Sequence, residues 1–362
     1  MSTPPKHNEP SDVTLSPDSE EAVSFIDATK AALPASFTLK DICVLLAAGV
    51  CEAYAAYNNG NNHAPKLDGY KWFNPIYVWE SLPNGNPFST AEGQAQAIAG
   101  VGTAQDALPS RAAAYASRVG EAPQCTGPIP PGTPVAGSQL FGFTATANDE
   151  SHNILVYRGT VTMEEAGYDL LGWGTNINCM LPSQWWEPNN YGPVNSYLFA
   201  FYVNKGTNWS SLASSTMDAI QKTMNLTTQK NLPWFLGGHS LGGAMITLAA
   251  LDAVASTAFG TQSLPFVITF GSLHVGDQTF ADLYKPEVPL TGRIANLCDF
   301  VPSMVSLEPV TLPDPYVHVG TPGTFVWQKW DDWANHSLSG VYQPMVQSHW
   351  ETIHWGSRKY PQ

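Results

Sequence analysis

The sequence predicts an α/β fold in which a mostly parallel central sheet is flanked by helices. After residue 138, short β-branched and apolar runs such as HNILVYRGT, PFVITFGS and GRIANLCDFVP alternate with helix-like stretches. Strands separated by helices form parallel sheets through crossover connections. The apolar run WFLGG also leads through a glycine-rich turn into AMITLAALDAVAS, a helix former. A chain of 362 residues without an internal repeat is long enough to bury one large core.

The first part of the chain predicts helices rather than strands. Residues 1–20 are rich in proline, serine and acids, which is typical of a disordered arm. SEEAVSFIDATKAAL and LKDICVLLAAGVCEAYAAY carry apolar residues at helical spacing. Residues 58–88 hold many Asn, Gly and Pro residues and predict an irregular surface segment, before a further helix-like run from Thr90. We therefore expect residues 21–138 to form a helical and irregular extension that packs on the core.

The core itself is expected to span residues 139–362. A loop rich in proline and glycine, PQCTGPIPPGTPVAGS, separates it from the extension. QLFGFTATAND and HNILVYRGT follow this loop and predict a pair of strands. The later strands then lie between helices, as the parallel sheet requires.

Composition and charge exclude several classes of partner. Lys and Arg number 16 against 30 Asp and Glu, so the net charge is −14 and the chain repels phosphate backbones. Nucleic acid is therefore not expected as a partner. The five cysteines show neither CxxC spacing nor a cluster with histidine at metal-ligand spacing. We expect no metal, no cofactor and no disulfide framework.

The sequence carries no visible address to a compartment. Its first residues lack a basic region followed by an apolar core, so no signal peptide is expected. The longest apolar run, Ile42 to Val50, is too short to cross a bilayer. We expect a soluble chain without a transmembrane segment, and the sequence leaves secreted and cytoplasmic locations and the oligomeric state open.

The glycine-rich turn contains a G-x-S-x-G pattern formed by Gly238, His239, Ser240, Leu241 and Gly242. Its position between a strand and a helix is the context of a nucleophile elbow, a sharp turn that exposes a serine. Gly238 and Gly242 would give the clearance that such a turn needs. The alternative is a chance match in a flexible loop, since the pattern alone is short.

A serine becomes a nucleophile when a histidine takes its proton and an acid orients the histidine. After an elbow serine, the acid precedes the histidine along the chain. Asp299 fits best, because it follows the strand-like RIANLC, whereas Asp252 lies within the helix that follows the turn. Five histidines lie downstream of Ser240. His274 and His318 lie close to strand-like runs, while composition alone does not separate His336, His349 and His354.

An oxyanion formed in such a site needs two N–H donors. One would come from Leu241, the residue after the candidate nucleophile. The other would come from the turn Arg158, Gly159, Thr160 at the end of an earlier strand. Thr160 could add its hydroxyl, and for Arg158 we favour a structural ion pair.

These segments together resemble the fungal-type triacylglycerol lipases, or class 3 lipases, of the α/β-hydrolase superfamily. The resemblance covers residues 139–345 and includes GGHSLGGAMITLAALD, VITFGSLHVGDQTF, RIANLCDFVPSM and NHSLSGVY. It implies an α/β-hydrolase fold with Ser240 as nucleophile, Asp299 as acid and His336 as base. It also implies an oxyanion hole of Thr160 and Leu241.

The segment after Thr160 would be a mobile lid, at about residues 161–191. Its sequence, with Trp173, Trp185 and Trp186, holds too little charge for an ordinary loop. The alternative is a buried excursion that packs on the core.

The resulting expectation is a lipase that hydrolyses acylglycerols at an oil–water interface through an acyl-enzyme. A phospholipase A1 or a short-chain carboxylesterase could use the same triad. A catalytically inactive binding protein is the alternative from another class, because fold does not fix function.

Overall fold

The computed structural model describes twelve ranges of the chain. They are residues 20–34, 37–58, 64–79, 138–161, 178–180, 193–195, 198, 201–202, 211–229, 231–260, 264–303 and 316–356. The predicted arm (apart from Glu20), the helix-like run from Thr90 and most of the Pro/Gly loop lie outside these ranges. The predicted lid also lies outside them, except for Val161 and residues 178–180.

The described strands and helices follow in chain order. The strands are β1 (Tyr70–Trp79), β2 (Ser138–Ala147), β3 (Asn153–Tyr157), β4 (Asn178–Met180), β5 (Pro193–Asn195), β6 (Trp234–His239), β7 (Phe266–Phe270), β8 (Gly276–Asp277), β9 (Thr291–Asn296), β10 (Tyr316–Val317), β11 (Thr321–Phe325) and β12 (His354–Trp355). The α-helices are α1 (Glu20–Ala32), α2 (Leu39–Asn58), α3 (Leu212–Leu226), α4 (Leu241–Ala255), α5 (Gln278–Glu287), α6 (Asp332–Asn335) and α7 (Gln343–Ser348). A π-helical turn (Leu338–Tyr342) and 3₁₀ turns (Val301–Ser303, Trp350–Thr352) complete the described elements.

The main sheet has eight strands in the order β1-β2-β3-β6-β7-β9-β11-β12. Its five inner strands β3, β6, β7, β9 and β11 are parallel. β1, β2 and β12 are antiparallel to their neighbours at the two ends of the sheet. The prediction of a mostly parallel sheet is confirmed. Because the inner strands are parallel, their carboxyl ends meet at one edge, where α/β proteins place their sites.

Helices cover both faces of this sheet. Side chains alternate along a strand, so Trp234 and Leu236 of β6 pack against the apolar cluster that includes α3 and α4. Phe235, between them, packs in the cluster that includes α1, α2 and α7. Both faces of β6 are buried, which explains why its sequence reads as a continuous apolar run.

Helix α2 is part of the core. It packs on β2, β3 and β6, and its buried side chains include Ile42, Cys43, Leu46 and Val50, each with no exposed surface. Gly237 of β6 allows this approach, because a Cβ atom there would lie 2.9 Å from the Leu46 Cβ atom. The predicted helix is confirmed, and it forms one of the two layers on the sheet.

The expectation that residues 58–88 are irregular is wrong for Tyr70–Trp79, which forms β1. This strand pairs with β2 along its length, with two register shifts. The Asn, Gly and Pro content of residues 58–88, which includes Asn74 and Pro75, favoured an irregular segment, but an edge strand tolerates proline, which cannot donate to a ladder. The aromatic and β-branched residues around them, in YKWFNPIYVW, favour the strand.

A second, smaller sheet has the order β10-β8-β5-β4. Its strand β4 consists of the three residues 178–180 of the predicted lid, which pair antiparallel with β5. Residues 178–180 of that segment therefore belong to a sheet. Among the described helices, none is long and apolar enough to cross a membrane.

We expect Leu46→Ala to lower the free energy of unfolding by about 2–5 kcal/mol, because it leaves a cavity between α2 and β6. Val23→Ala on α1 is the control, since Val23 is 50% exposed and its truncation should change stability by less than about 0.5 kcal/mol. Chemical denaturation monitored by circular dichroism measures both. A separate unfolding transition for α2, with the sheet unaffected, would contradict the assignment of this helix to the core.

Candidate active site

Ser240 lies in the sharp turn between β6 and α4, at the carboxyl edge of the sheet. Its backbone has φ 56° and ψ −126°, a combination that a residue with a side chain adopts only under strain. The backbone N–H of Ser240 donates to the Phe270 carbonyl at 3.0 Å, which joins the turn to the end of β7. The Ser240 hydroxyl makes no capping hydrogen bond to the first turn of α4.

The glycines around Ser240 let backbones approach closely. A Cβ atom on Gly238 would lie 2.1 Å from the Gly242 carbonyl oxygen. A Cβ atom on Gly242 would lie 2.2 Å from the Arg158 carbonyl oxygen, at the end of β3. Gly243 contacts Ser272 in the loop after β7, where a Cβ atom would lie 2.7 Å from the serine Cβ. The three glycine positions of the turn therefore have no room for a side chain.

The chain after β3 lies directly against Ser240. A Cβ atom on Gly159 would lie 2.6 Å from the His239 carbonyl oxygen and 2.8 Å from the Ser240 Cβ atom. Thr160 follows Gly159, so both predicted oxyanion donors, Thr160 and Leu241, are close to Ser240 in the fold. The Leu241 N–H belongs to the first turn of α4, where the N–H groups have no acceptor within the helix.

Arg158 is completely buried beneath this turn. Its guanidinium donates to the carbonyls of Leu140 and Gly159, both at 2.7 Å, and lies 4.2 Å from the centre of the Tyr57 ring. These contacts, with two carbonyl oxygens and an aromatic ring, support a structural role for Arg158, and the predicted ion pair stays a prediction.

Asp299 lies after β9 and is 1% exposed. Its Oδ1 accepts from the Val301 N–H at 2.9 Å. Its Oδ2 accepts from His336 Nδ1 at 2.7 Å and from the Tyr342 hydroxyl at 2.6 Å. The Tyr342 oxygen in turn accepts from the Asn296 N–H at 3.2 Å. Three donors thus fix the orientation of the carboxylate.

His336 ends helix α6 and is 8% exposed. Because Nδ1 donates to Asp299, the neutral imidazole has its acceptor at Nε2. Nε2 is buried and has no hydrogen-bond partner in the described chain, the Ser240 hydroxyl included. Hydrogen bonds between catalytic groups are often long without substrate. The predicted acid and base are therefore paired, and the acceptor nitrogen is not engaged.

His239 contacts both His336 and helix α2. Its Nε2 lies 2.8 Å from the His336 carbonyl oxygen, and its Nδ1 lies 2.8 Å from the Tyr54 hydroxyl. The Tyr54 oxygen also accepts the Gly159 N–H at 2.8 Å. Burial lowers the pKa of His239 well below its usual value, with a further contribution from His336. The side chain is therefore neutral at physiological pH.

The other downstream histidines are placed by different elements and contacts. His318 stacks on His274, with ring centres 3.7 Å apart, and its Nε2 lies 2.7 Å from the Pro302 carbonyl oxygen. His349 is exposed at the end of α7 and packs against the Trp327 ring. His354 lies on β12, at the end of the main sheet.

Asp252, the other acid considered, lies in α4 and accepts a hydrogen bond of 2.8 Å from the Tyr202 hydroxyl. Burial raises its pKa to about 6. Within the described ranges, no group of three or more His, Cys, Asp or Glu side chains could hold a metal ion.

Three residues of this site were not predicted from the sequence: Tyr54, His239 and Tyr342. His239 was visible as the residue before Ser240, but nothing in the pattern gave it a contact. Tyr54 lies 185 residues from His239 along the chain, and Tyr342 lies 43 residues after Asp299. Contacts over such separations require the fold.

A serine on a sharp turn between a strand and a helix, at the carboxyl edge of a mostly parallel sheet, is the arrangement in which the α/β-hydrolase fold presents a serine. Residues 154–308 match the family model described as lipase (class 3). The match includes Ser240 and Asp299 and ends before His336.

The chain is also similar to named lipases and phospholipases. It is 27% identical over 168 residues to lipase ZK262.3 of Caenorhabditis elegans, covering 46% of this chain and 42% of the relative. It is 25% identical over 180 residues to phospholipase A1-II 1 of Oryza sativa subsp. indica, covering 47% and 45%. The chain spans less than half the length of the curated relatives it matches.

Among solved structures, the chain is similar to lipase II from Rhizopus niveus, with a TM-score of 0.38 and 20% identity. The match covers 50% of this chain and 60% of that one. A triacylglycerol lipase from Penicillium expansum has a TM-score of 0.37 and 18% identity, covering 54% and 66%.

We expect Gly238→Ala to destabilise the protein by at least about 3 kcal/mol, because the new Cβ would overlap a backbone carbonyl that cannot rotate away. Gly49→Ala on α2 is the control. Its Cβ would lie 3.1 Å from the Val156 side chain, and alanine has a higher helix propensity than glycine. Thermal denaturation compares the two variants. Equal melting temperatures for Gly238→Ala and the unchanged protein would contradict the tight turn.

Proposed function

We propose that this chain is a carboxylic ester hydrolase that acts on acylglycerols, with Ser240 as nucleophile, His336 as general base and Asp299 as the acid that orients the histidine. One observation carries the proposal. His336 is paired with Asp299 through Nδ1, while its buried Nε2 has no hydrogen-bond partner among the residues that the structure describes, and its ring lies 4.6 Å from that of His239, the residue before Ser240.

In the proposed reaction, His336 Nε2 takes the hydroxyl proton of Ser240 as its oxygen attacks the ester carbonyl. The resulting imidazolium is stabilised by the Asp299 carboxylate at Nδ1 and gives its proton to the departing alcohol. A water molecule, activated by the same nitrogen, then cleaves the acyl-enzyme. Asp299 orients His336 and stabilises its charged form.

Thr160 and the Leu241 N–H are the proposed donors to the oxyanion. The argument rests on position, since Gly159 contacts Ser240 on one side and α4 begins at Leu241 on the other. Donors already in place stabilise the developing charge without reorganisation, and removing one from a comparable site costs about 10²–10³ in turnover. The dipole of α4 adds positive potential at the same point.

The proposed substrate class is a lipid ester. The match of residues 154–308 to the family model described as lipase (class 3) supports it, as does lipase ZK262.3 among the relatives. A phospholipase A1 activity is the second candidate. The relatives named phospholipase A1-II 1 of Oryza sativa and phospholipase A(1) DAD1 of Arabidopsis thaliana favour it, and the same triad could perform that reaction.

Replacing Ser240 with Ala should remove nearly all hydrolysis of p-nitrophenyl butyrate, because the nucleophile is lost while the fold is kept. His336→Ala should cause a loss of similar size, since the two side chains act as a unit. Labelling with a fluorophosphonate should occur in the unchanged protein and not in Ser240→Ala. Equal hydrolysis by Ser240→Ala would reject the assignment, and an unchanged protein that neither labels nor hydrolyses esters would indicate a binding protein.

A panel of tributyrin, triolein and phosphatidylcholine separates the two candidate functions. An acylglycerol lipase should release fatty acid from triolein at least about tenfold faster than from phosphatidylcholine, since a transition-state difference of 1.4 kcal/mol gives that ratio. Titration of released acid measures all three rates, and Ser240→Ala is the blank. Faster release from phosphatidylcholine would favour the phospholipase, and release from tributyrin alone would favour a short-chain esterase.

A further inference from the structure

A chain of hydrogen bonds connects helix α2 to three elements of the candidate site. Tyr54 on α2 contacts Gly159 after β3 and His239 at the end of β6. His239 in turn contacts the backbone of His336. Tyr54 and His239 are not part of the proposed triad or oxyanion hole.

The donors and acceptors of this chain match at each step. The His336 carbonyl oxygen only accepts, so His239 Nε2 carries the hydrogen. Since burial and the neighbouring His336 keep His239 neutral, its Nδ1 is an acceptor and the Tyr54 hydroxyl donates to it. The Tyr54 oxygen then accepts the Gly159 N–H. The hydrogen bonds thus specify one tautomer of His239 and one direction for the whole chain.

We propose that Tyr54 and His239 are positioning residues of the candidate hydrolase: they hold the backbone of His336 at a set distance from the oxyanion turn at Gly159. This inference rests on the proposed function.

The geometry favours positioning over stability alone. His336 is at the end of the four-residue helix α6, so its backbone needs support from the rest of the fold. The hydrogen bond from His239 gives that support at the carbonyl, while Asp299 holds the ring at Nδ1. The same tyrosine holds the Gly159 N–H, next to Thr160. Small displacements between a base and an oxyanion site reduce turnover strongly, by about 10²-fold for 1 Å.

Alternation along β6 explains why α2 reaches the site. Phe235, Gly237 and His239 share one face of the strand, and Phe235 packs in the cluster that includes α2. Gly237 lets Leu46 approach β6. Tyr54 lies two turns beyond Leu46 on the same side of α2, and it meets His239 at the end of the strand.

Tyr54→Phe tests the proposal, because it keeps the ring and removes the hydroxyl. With p-nitrophenyl butyrate, we expect kcat to fall about tenfold while KM changes by less than about twofold. The rate of Ser240 labelling by a fluorophosphonate should fall in parallel. A kcat and labelling rate equal to those of the unchanged protein would overturn the proposal.

Tyr70→Phe is the matched control. Tyr70 on β1 makes the same kind of hydrogen bond, to His152 Nε2. His152 comes before β3 whereas Gly159 comes after it, so this pair lies at the opposite end of the strand. Tyr70→Phe should lower the melting temperature and leave kcat within about twofold. If Tyr54→Phe behaved in the same way, its role would be structural and the proposal would fail.

Two substitutions of His239 test its two hydrogen bonds, with Tyr54 and with the His336 carbonyl, separately. His239→Gln places an amide N–H near the position of Nε2, and His239→Asn places a carbonyl oxygen near that of Nδ1. His239→Gln breaks the hydrogen bond with Tyr54, so adding Tyr54→Phe should lower kcat by less than the product of the two single effects. His239→Asn keeps that bond and breaks the hydrogen bond with the His336 carbonyl, so the link from Tyr54 to His336 is again interrupted and adding Tyr54→Phe should again lower kcat by less than the product. Multiplicative effects in either pair would overturn the proposal.

The failure of the proposed function gives a different result. If the unchanged protein shows no hydrolysis that depends on Ser240, the proposed function and this inference fall together. If hydrolysis depends on Ser240 and His336 but Tyr54→Phe leaves kcat unchanged, the inference alone fails.

Discussion

The backbone of Ser240 is the constraint on which the site depends. A serine at φ 56° is strained by about 1–3 kcal/mol, and the surroundings must favour this conformation over relaxed ones. They do so by contact on several sides, from the end of β3, the Phe270 carbonyl and the first turn of α4. Each contact needs a glycine or a backbone hydrogen bond, so the sequence around the turn has little freedom.

The same constraint gathers the polar groups. Gly159 and Gly242 allow backbone segments to approach so closely that a Cβ atom would not fit between them. The carboxyl edge of the sheet therefore brings together the ends of β3 and β6 and the start of α4. The loop after β9 begins at the same edge and carries Asp299. A parallel sheet brings these ends together, and the glycines determine how closely they meet.

Both helical layers contribute to the site. α4 provides its N-terminus, and α2, on the opposite face of the sheet, provides Tyr54. Side-chain alternation along β6 explains this division, because it directs His239 toward α2. Helix α2, which lies in the segment expected to be an extension of the core, therefore contributes a side chain to the candidate site. The helix was predicted from spacing, but which face of the sheet it covers depends on the complete fold.

A site residue could be predicted when the residues that position it are its neighbours in the sequence. Ser240 could be predicted, because its turn, strand and helix are adjacent in sequence. Asp299 could be predicted from its position after a strand. Composition did not separate His336 from His349 and His354, since a loop histidine is placed by tertiary contacts. The signals around Asn74 and Pro75 misled the prediction of β1, because their meaning depends on whether a strand is at an edge.

Asp252 and Asp299 illustrate the same limit in physical terms. Both are buried acids downstream of Ser240. Asp252 lies along α4 and receives one side-chain hydrogen bond, from Tyr202, and its burial raises its pKa to about 6. Asp299 follows β9 at the carboxyl edge of the sheet. Its carboxylate accepts three hydrogen bonds, from the Val301 backbone N–H and from the side chains of His336 and Tyr342. Position relative to the sheet was readable from the sequence and distinguished the two acids. The donors that orient Asp299 were not readable, because Tyr342 reaches it from a π-helical turn that only the folded chain brings near.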